Sequence, residues 1–584
     1  MLEFGKNTLL GWALLIALAV GFVILHGKVL NDKKRYIRLA SWLCFFVLVA
    51  VVFKLSAPPE KRIPAVDVKN PEATAEISVE QGKLTGVYNA DKSVEVYAGI
   101  PYAAPPVGEL RWKEPQPAES WDGVRACDEF APMSMQQRGS ELYNSMTDLI
   151  GYHKFKVSLK DNFVGAMSED SLYLNIWKPS GNVENAPVLF FIHGGSLTGG
   201  QTWHDAYNGE ALAKQGIIVV NCAYRLNVFG YYANEELAAE SPNGTTGNYG
   251  LLDQIAALKW VNDNIAQFGG DVDNITIAGE SAGSSSVNAI CVSPLAKGLF
   301  KRAIAESSGI TAREPYHTFR SIEKALKMGK DIMAEFSASN ISDLRNVPAD
   351  KLVNTRYTNS AMTVDGYAIT EQPYLTYEKG ENNEQALLNG FNLHEADFFM
   401  FSRKVTKDNY VETLSGVLGD YAGEAAELIP PYEQSKRYSL AIVEAGGDAK
   451  GAADRVYSAA WFQYSHFDWS RRVSAQGKDV YEYYFTKDNR SLGSSHAGEM
   501  PYCYGNLDKH AELYDDSDFA LSETMQKYWV NFIKTGNPNG EGLPEWKRFN
   551  DDQTKVLEFG EKVEMITDPN LELYALLDKY QAEK

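Results

Sequence analysis

One serine in the sequence is placed where it could act as a nucleophile. Residues 275–285 read ITIAGESAGSS, so an apolar, β-branched run leads into Ser281, which has a glycine two residues away on either side. The apolar run predicts a buried strand, and the small residues around Ser281 allow the chain to turn sharply into a helix. Such a turn leaves the hydroxyl exposed at its apex. The pattern predicts attack by Ser281 on a carbonyl carbon.

An attacking serine needs backbone N–H donors for the oxyanion that forms. An apolar run at residues 188–192 ends in the glycine turn HGGSL, residues 193–197. The N–H groups of Gly195 and Ser196, with that of Ala282 beside the serine, are therefore candidates for a three-donor oxyanion hole. A glycine turn after a strand is also an ordinary loop connection. The serine motif downstream favours the catalytic interpretation.

The serine also needs a base, and the base needs an acid to orient it. Among the nine histidines, His496 lies in a loop of small residues that would let an imidazole approach a cleft. A lone histidine is more often structural, so this choice is weak without family evidence. In α/β-hydrolases the acid lies between the serine and the histidine in the chain. Glu395, after a strand-like run, is the candidate acid; Asp397 and Asp365 are alternatives that spacing does not exclude.

Five further runs resemble one known family. They are YAGIPYAAPPVGELRW at 97–112, EDSLYLNIW at 169–177, YRLNVFG at 224–230, GNYGLLDQ at 247–254 and TGNPNG at 535–540. Over roughly residues 78–575 the chain resembles the type B carboxylesterases, the branch of the α/β-hydrolase fold that includes cholinesterases and para-nitrobenzyl esterases. The resemblance implies a nucleophile, acid, base and three oxyanion donors at Ser281, Glu395, His496, Gly195, Ser196 and Ala282.

The fold expected from this resemblance agrees with the order of elements in the sequence. Apolar runs at 188–192 and 217–221 are typical of strands covered on both faces, and residues 251–268 have apolar side chains at helical spacing. Strand and helix alternate, which predicts an α/β-hydrolase fold with a large, mostly parallel central sheet flanked by helices.

The expected reaction is hydrolysis of a carboxylic ester through an acyl-enzyme, without a cofactor or a metal. The alternative is a catalytically silent adhesion or scaffold protein, a use to which the cholinesterase-like fold is also put. Relatives of that kind usually lack a member of the catalytic set, whereas all its members are present here. A third possibility keeps the chemistry and directs it at lipid esters, although no residue pattern favours a lipid pocket.

Two departures from the family pattern concern how loops are held. The family commonly forms a disulfide between two cysteines, and this chain has Ser134 and Ser171 at the corresponding places. We therefore expect this loop to be held by packing and hydrogen bonds. The five cysteines show no C-x-x-C metal spacing. Ala396 replaces the glycine that usually follows the acid, so the backbone there must accommodate a side chain.

The N-terminal region predicts a membrane anchor. Residues 7–27 carry no formal charge, and 21 helical residues are long enough to cross a bilayer. A second apolar run, 39–53, is prolonged to residue 57 if Lys54 extends its amine to the interface. We expect transmembrane helices at about 7–27 and 39–57 in an anchor spanning 1–56, a linker at 57–75 and a hydrolase domain at 76–584. A cleaved signal peptide or an interfacial segment is the alternative; no small-x-small cleavage site follows the first run.

Charge predicts the orientation of this anchor and its partners. The loop between the two runs contains five basic residues and one acidic residue, and basic loops remain in the cytoplasm. The large domain is therefore expected on the periplasmic or extracellular face. Residues 1–62 carry a formal charge of +6, from nine basic and three acidic side chains. Since the whole chain carries −20, the rest of the chain carries −26. Such acidity argues against nucleic acid as a partner. The expected partners are a small-molecule ester and the membrane, and the sequence leaves the oligomeric state open.

Overall fold

The structure is a computed structural model that describes residues 9–56, 60–66, 68–138, 163–313, 318–358, 360–400, 402–431 and 447–583. These residues fall into two compact units. The smaller unit contains the described residues up to Ile63, together with 138 and 163–166. The larger unit, which we call the catalytic unit, contains 64–137 and the described residues from Met167 onward.

The smaller unit is built on two apolar helices. The first, Leu9–Leu25, continues as a π-helix, His26–Leu30, and the second is Arg35–Leu55. They pack through aromatic rings, with Phe22 stacked on Phe45 at 4.3 Å between ring centroids. The helical segments Gly11–Leu30 and Arg35–Leu55 have mean hydropathies of 2.3 and 2.2, and both are long enough to span a membrane. Two such helices near the N-terminus fit an anchor or a signal sequence.

The helix limits differ from those expected from the apolar runs. The first helix extends to Leu30 rather than 27, and the second begins at Arg35 rather than 39 and ends at Leu55. Lysine and arginine are good helix formers, so the helices continue into the charged residues between the apolar runs. The segment expected as a linker contains a short strand, Glu60–Arg62, which pairs in parallel with Phe163–Gly165.

An eleven-stranded sheet forms the centre of the catalytic unit. In chain order its strands are β1 Val87–Tyr88, β2 Val94–Pro101, β3 Tyr173–Pro179, β4 Ala186–Ile192, β5 Ile218–Cys222, β6 Gly270–Glu280, β7 Arg302–Glu306, β8 Ala386–Asn392, β9 Asp479–Phe485, β10 Lys555–Phe559 and β11 Val563–Thr567. Their order across the sheet is β11-β10-β9-β8-β7-β6-β4-β5-β3-β2-β1. The seven strands from β10 to β5 are parallel, and the strands at both edges are antiparallel.

Helices cover both faces of this sheet. The α-helices of the catalytic unit are Glu210–Ala213, Asn227–Tyr231, Glu235–Glu240, Tyr249–Asn264, Ala282–Val292, Ile322–Glu335, Ile341–Arg345, Ala349–Leu352, Pro373–Lys379, Asp397–Met400, Tyr410–Leu418, Ala422–Leu428, Gly447–Ser458, Tyr464–Ser474, Met500–Cys503, Asp516–Thr535 and Leu571–Ala582. Strand β4 shows why a near-continuous apolar run is needed: Phe190 packs in one core cluster, and its neighbours Leu189 and Phe191 pack in another.

Smaller elements complete the unit. Short strands lie at Ile77–Val79, Gly82–Thr85, Val124–Ala126, Met133–Ser134, Met167–Ser168, Arg320–Ser321 and Thr363–Val364. The 3-10 helices are Gly108–Leu110, Asp205–Tyr207, Ile265–Phe268, Pro294–Ala296, Gly419–Tyr421 and Leu507–Leu513, and a π-helix, Ala459–Gln463, interrupts the helical segment that ends at Ser474.

A hydrogen bond joins the two serines that replace the family's cysteines. The hydroxyl oxygens of Ser134 and Ser171 are 3.0 Å apart, and the Ser134 hydroxyl donates to the carbonyl oxygen of Tyr224 at 2.7 Å. Both side chains are buried, and all five cysteines of the chain are free thiols.

The sheet brings the candidate site residues to one edge. In open parallel sheets, ligands bind beyond the carboxyl ends of the strands, where the strand order reverses. The glycine turn at 193–197 follows β4, Ser281 follows β6, Glu395 follows β8 and His496 lies in the loop after β9. Residues that are distant in the sequence therefore converge at the carboxyl edge of adjacent strands.

Candidate active site

Ser281 lies between β6 and the helix Ala282–Val292 in an unusual backbone conformation. Its φ and ψ angles are 56° and −125°, in a region that a residue with a side chain rarely adopts. The strain costs about 1–3 kcal/mol and persists only where the surroundings enforce it. Here the Ser281 N–H donates to the carbonyl oxygen of Glu306 on β7 at 2.8 Å. This positive φ forms a sharp turn between the strand and the helix.

The glycines around Ser281 are required by close backbone contacts. A Cβ on Gly283 would lie 2.0 Å from the carbonyl oxygen of Ile192, at the end of β4. A Cβ on Gly279 would lie 2.5 Å from the carbonyl carbon of Gly283. Real Cβ atoms do not approach other atoms so closely, and backbone atoms cannot rotate out of the way. The glycine positions in the motif thus allow strand, turn and helix to pack against one another.

Three of the predicted side chains form a hydrogen-bonded line. His496 Nε2 lies 2.8 Å from the Ser281 hydroxyl oxygen, and His496 Nδ1 lies 2.6 Å from Glu395 Oε2. Glu395 is fully buried, and its other carboxyl oxygen accepts the N–H of Asn392 at 2.7 Å. The imidazole therefore lies between an alcohol and a carboxylate, within hydrogen-bonding distance of both.

The two alternative acids have other partners. Asp365 accepts a hydrogen bond from the Thr245 hydroxyl at 2.5 Å. Asp397 accepts one from the hydroxyl of Ser495, also at 2.5 Å, and so contacts the neighbour of His496 in the chain rather than the imidazole. Sequence spacing alone could not distinguish Glu395 from Asp397, because they are two positions apart in the same loop. The conformation of that loop decides which carboxylate faces His496.

The turn after β4 lies directly against the serine. A Cβ on Gly194 would lie 3.0 Å from the Cβ of Ser281 and 2.6 Å from the carbonyl oxygen of Glu280. Left-handed φ angles at Gly195 (111°) and Ser196 (55°) curl the turn, and the carbonyl oxygen of Gly195 accepts the N–H groups of the two residues at 198 and 199.

The expected oxyanion donors have no acceptor among the residues that the structure describes. Within the described part of the chain, no hydrogen bond uses the N–H of Gly195, Ser196 or Ala282. Ala282 is the first residue of its helix, where N–H groups lack partners within the helix and attract negative charge. These groups can therefore bind a negatively charged oxygen close to Ser281.

Further carboxyl groups surround the imidazole. Glu280 Oε1 lies 3.3 Å from His496 Nε2, and burial raises the pKa of Glu280 to about 8. Burial alone would lower the pKa of His496, but the charges of Glu280 and Glu395 and the hydrogen bond to Glu395 outweigh it and raise that pKa to about 9. The surroundings thus favour the imidazolium, the form that His496 takes after accepting a proton.

A second buried glutamate, Glu499, connects the loops of the site. It accepts hydrogen bonds from the Asn392 amide at 2.5 Å and from the Ser307 hydroxyl at 3.3 Å. Burial, followed by the charge of Glu395, raises its pKa to about 7. Sequence reasoning missed Glu280 and Glu499, although each has a local signal: Glu280 directly precedes Ser281, and Glu499 follows His496 by three residues.

Aromatic side chains line one side of the imidazole. The rings of Phe462 and Phe399 lie 4.9 and 5.8 Å from the His496 ring, between centroids. Phe462 belongs to the π-helix Ala459–Gln463; such insertions in helices are frequent at functional sites. Phe399 is 44% exposed, so part of its side chain faces solvent beside the imidazole. In the described residues no group of three or more His, Cys, Asp or Glu side chains could hold a metal ion.

Comparison with known proteins gives the family. The sequence model of the carboxylesterase family matches residues 73–576, most of the chain. The chain belongs to the carboxylesterase family. It is 31% identical over 503 residues to the fumonisin B1 esterase of Sphingopyxis macrogoltabida, covering 83% of this chain and 86% of that protein. It is also 31% identical over 521 residues to the para-nitrobenzyl esterase of Bacillus subtilis, covering 85% of this chain and 97% of the relative.

Solved carboxylesterase structures share the fold. The carboxylesterase of Geobacillus stearothermophilus aligns with a TM-score of 0.70 and 31% identity, over 86% of this chain and 100% of its own. A para-nitrobenzyl esterase aligns with a TM-score of 0.71 and 28% identity, over 86% of this chain and 99% of its own. The α/β-hydrolase fold and the family expected from the sequence are confirmed. The chain is a carboxylic ester hydrolase, and the silent scaffold alternative has no support among these relatives.

The alanine that departs from the family's pattern is accommodated without strain. Ala396 is fully buried and is absent from the residues with positive φ, so its position does not demand a glycine. Its N–H donates to the hydroxyl of Ser458 at 2.9 Å, which fixes the backbone next to Glu395. The carboxylesterase site thus tolerates a side chain at this place in the acid loop.

Proposed function

We propose that this carboxylesterase hydrolyses esters through a covalent acyl-enzyme formed on Ser281. The observation that carries the proposal is the hydrogen-bonded line from the Ser281 hydroxyl through His496 to Glu395, with distances of 2.8 and 2.6 Å. In this proposal Ser281 is the nucleophile, His496 the general base and acid, and Glu395 the orienting acid.

The first half of the reaction forms the acyl-enzyme. His496 Nε2 takes the hydroxyl proton while the Ser281 oxygen attacks the ester carbonyl carbon, giving a tetrahedral oxyanion. The backbone N–H groups of Gly195, Ser196 and Ala282 donate to that oxyanion; one such donor is worth about 3–4 kcal/mol in related chemistry. The tetrahedral species then breaks its bond to the alkoxy oxygen, which leaves as the alcohol with the proton from His496.

The second half of the reaction releases the acid. A water molecule gives a proton to His496 and attacks the acyl carbon of the ester to Ser281. Collapse of the new oxyanion breaks the bond to the serine oxygen, which recovers the proton from His496. Glu395 remains ionised throughout, because its role is to hold the tautomer with the proton on Nδ1 and to stabilise the imidazolium.

The substitution Ser281→Ala tests the role of the nucleophile. We expect it to abolish both hydrolysis of p-nitrophenyl acetate and covalent labelling by a fluorophosphonate probe. Ser285→Ala, in the same motif but hydrogen-bonded to Ser308, is the matched control and should retain both. Unchanged turnover by folded Ser281→Ala protein would refute the proposal.

We further propose that residues 1–56 anchor the enzyme in a membrane as a helical hairpin, that 57–75 form a linker and that 76–584 form the hydrolase domain on the periplasmic or extracellular face. The support is the length and hydropathy of Gly11–Leu30 and Arg35–Leu55 and the basic loop between them. Protease added to cells whose outer membrane, where one is present, has been removed should digest the hydrolase domain, and alkaline carbonate should leave the uncleaved chain with the membranes. Protection from the protease, or release by carbonate, would overturn this placement.

A further inference from the structure

A second hydrogen-bonded pair of side chains joins the two loops that carry the acid and the base. Asp397, two residues after Glu395, accepts the hydroxyl proton of Ser495, the residue directly before His496, at 2.5 Å. Both side chains are buried: Asp397 is 6% exposed and Ser495 is fully buried. The pair runs beside the contact between Glu395 and His496 and connects the same two loops.

Two further hydrogen bonds, made by the backbone of Ser495, act together with the Asp397 contact on this turn. Its carbonyl oxygen accepts the Asn392 side-chain amide at 3.0 Å, and its N–H donates to the carbonyl oxygen of Leu492 at 3.1 Å. The next two residues are His496 and Ala497, and Ala497 has a left-handed φ of 65°. A strained residue beside the base means that the loop needs outside contacts to keep its shape.

The acid loop is fixed on its other side by one helix. His394 Nδ1 lies 2.7 Å from Asp454 Oδ2, and the Ala396 N–H donates to the Ser458 hydroxyl at 2.9 Å. Asp454 and Ser458 belong to the helix Gly447–Ser458. Glu395 therefore lies between two residues tied to the same helix, which makes the acid loop a rigid base for a bond to the histidine loop.

We propose that Asp397 is a positioning residue that, through its hydrogen bond to Ser495, aligns the His496 imidazole with Ser281. This inference rests on the proposed function of Ser281, His496 and Glu395. A displacement of the base by about 1 Å can cost on the order of 100-fold in rate. Loss of this alignment should therefore lower kcat and leave substrate binding nearly unchanged.

In this proposal Asp397 acts through geometry. The carboxylates with the largest effect on the pKa of His496 are Glu280, Glu395 and Glu499. Burial, followed by the nearby charge of Asp454, raises the pKa of Asp397 itself to about 7, so its carboxyl group is readily protonated near neutral pH. A neutral oxygen can still accept the Ser495 proton, which means that the hydrogen bond does not depend on a full charge.

Four variants and a control test the proposal, with active sites counted by fluorophosphonate titration. Asp397→Ala and Ser495→Ala should each lower kcat for p-nitrophenyl acetate about 10- to 100-fold per titrated site and leave KM within about twofold. The double variant should be no slower than the slower single variant, because both remove one bond. Asp397→Asn, whose amide oxygen can accept the same proton, should stay within about threefold of the wild type. Exposed Asp408→Ala is the control.

Each outcome bears on the proposal. If Asp397→Asn is as slow as Asp397→Ala, the charge matters and the proposal is wrong. Losses that add in the double variant, or kcat per titrated site that is unchanged in both single variants, would also overturn it. Failure of the proposed function itself would look different: the wild type would then escape labelling, or would keep its turnover after Ser281→Ala. Asp397→Asn keeps an acceptor for the Ser495 proton but gives up the bond that the other Asp397 oxygen accepts from the Phe398 N–H at 2.6 Å. Its kcat is therefore also compared with that of Ser495→Ala, which leaves the Phe398 bond in place.

Discussion

The proposed nucleophile and the proposed base of this site are positioned in different ways. Ser281 is held by backbone contacts, since Gly279 and Gly283 allow strand, turn and helix to touch and a single N–H bond to β7 fixes the turn. His496 is held by side chains: its ring contacts the carboxylates of Glu280 and Glu395, and its loop is tied to the acid loop. We therefore expect the Ser281 side of the site to be sensitive to added side-chain volume. We expect the His496 side to be sensitive to the loss of hydrogen bonds and charges.

The largest expected effect tests the base side. Glu395→Gln keeps the shape of the side chain but offers the imidazole a donor as well as an acceptor, so it no longer fixes the tautomer. We expect kcat to fall by about 10⁴-fold with little change in the melting temperature. Steady-state kinetics with p-nitrophenyl acetate and a thermal melt measure both. A loss smaller than tenfold would mean that another group orients the base.

The next effect tests the nucleophile side. Gly283→Ala would place a Cβ 2.0 Å from the carbonyl oxygen of Ile192, so the elbow must move. We expect a loss of about 1–3 kcal/mol of stability and a fall in kcat of about 100-fold in the folded fraction. Urea unfolding and kinetics per titrated site are the measurements. If the variant keeps wild-type stability, backbone packing does not hold the serine.

These two sides were also unequally accessible to sequence reasoning. The elbow is local, so Ser281 and its glycines could be found from a few consecutive residues. The acid could not be separated from Asp397 by spacing, because that distinction depends on which carboxylate faces an imidazole 101 residues further along the chain. The resemblance to carboxylesterases, rather than the pattern, singled out Glu395.

The same contrast applies to the fold. Buried parallel strands such as β4 and β5 appeared as continuous apolar runs, and the mostly parallel sheet followed from their alternation with helices. The antiparallel edge strands and the helix limits near Leu30 and Arg35 could not be predicted from the apolar runs. Strand pairing at an edge, and the extension of a helix into charged residues, both depend on neighbours outside the run. The hydrogen bond between Ser134 and Ser171 is a contact of the kind that we expected to hold this loop in place of a disulfide.

A shift in the pH profile tests the electrostatics of the base side. His496 must be neutral to accept the serine proton, so kcat/KM falls as the pH drops below its pKa, which lies at about 9. Glu280→Gln removes a carboxylate that raises this pKa, and the acid limb of the profile should therefore move to lower pH. Exposed Glu564→Gln is the control and should leave the profile in place. A limb that stays put or moves to higher pH would show that Glu280 does not act on the base.

The smallest expected effect contrasts the acid loop with the elbow. Ala396 occupies a position without positive φ, so Ala396→Gly removes a methyl group and adds backbone freedom without relieving strain. We expect a stability loss of about 1 kcal/mol and a kcat within about twofold of the wild type. Urea unfolding measures the stability, and steady-state kinetics measure kcat. A gain in stability would mean that the backbone at this place does prefer a glycine, contrary to the structure.

The central claim, that Ser281 is the residue acylated in turnover, is tested most directly by locating a covalent adduct. The protein is treated with a fluorophosphonate, digested and analysed by tandem mass spectrometry, with and without prior incubation with an ester substrate. The account predicts one adduct, on Ser281, formed in proportion to the loss of esterase activity and slowed by substrate. An adduct on another residue, or complete loss of activity without modification of Ser281, would contradict it.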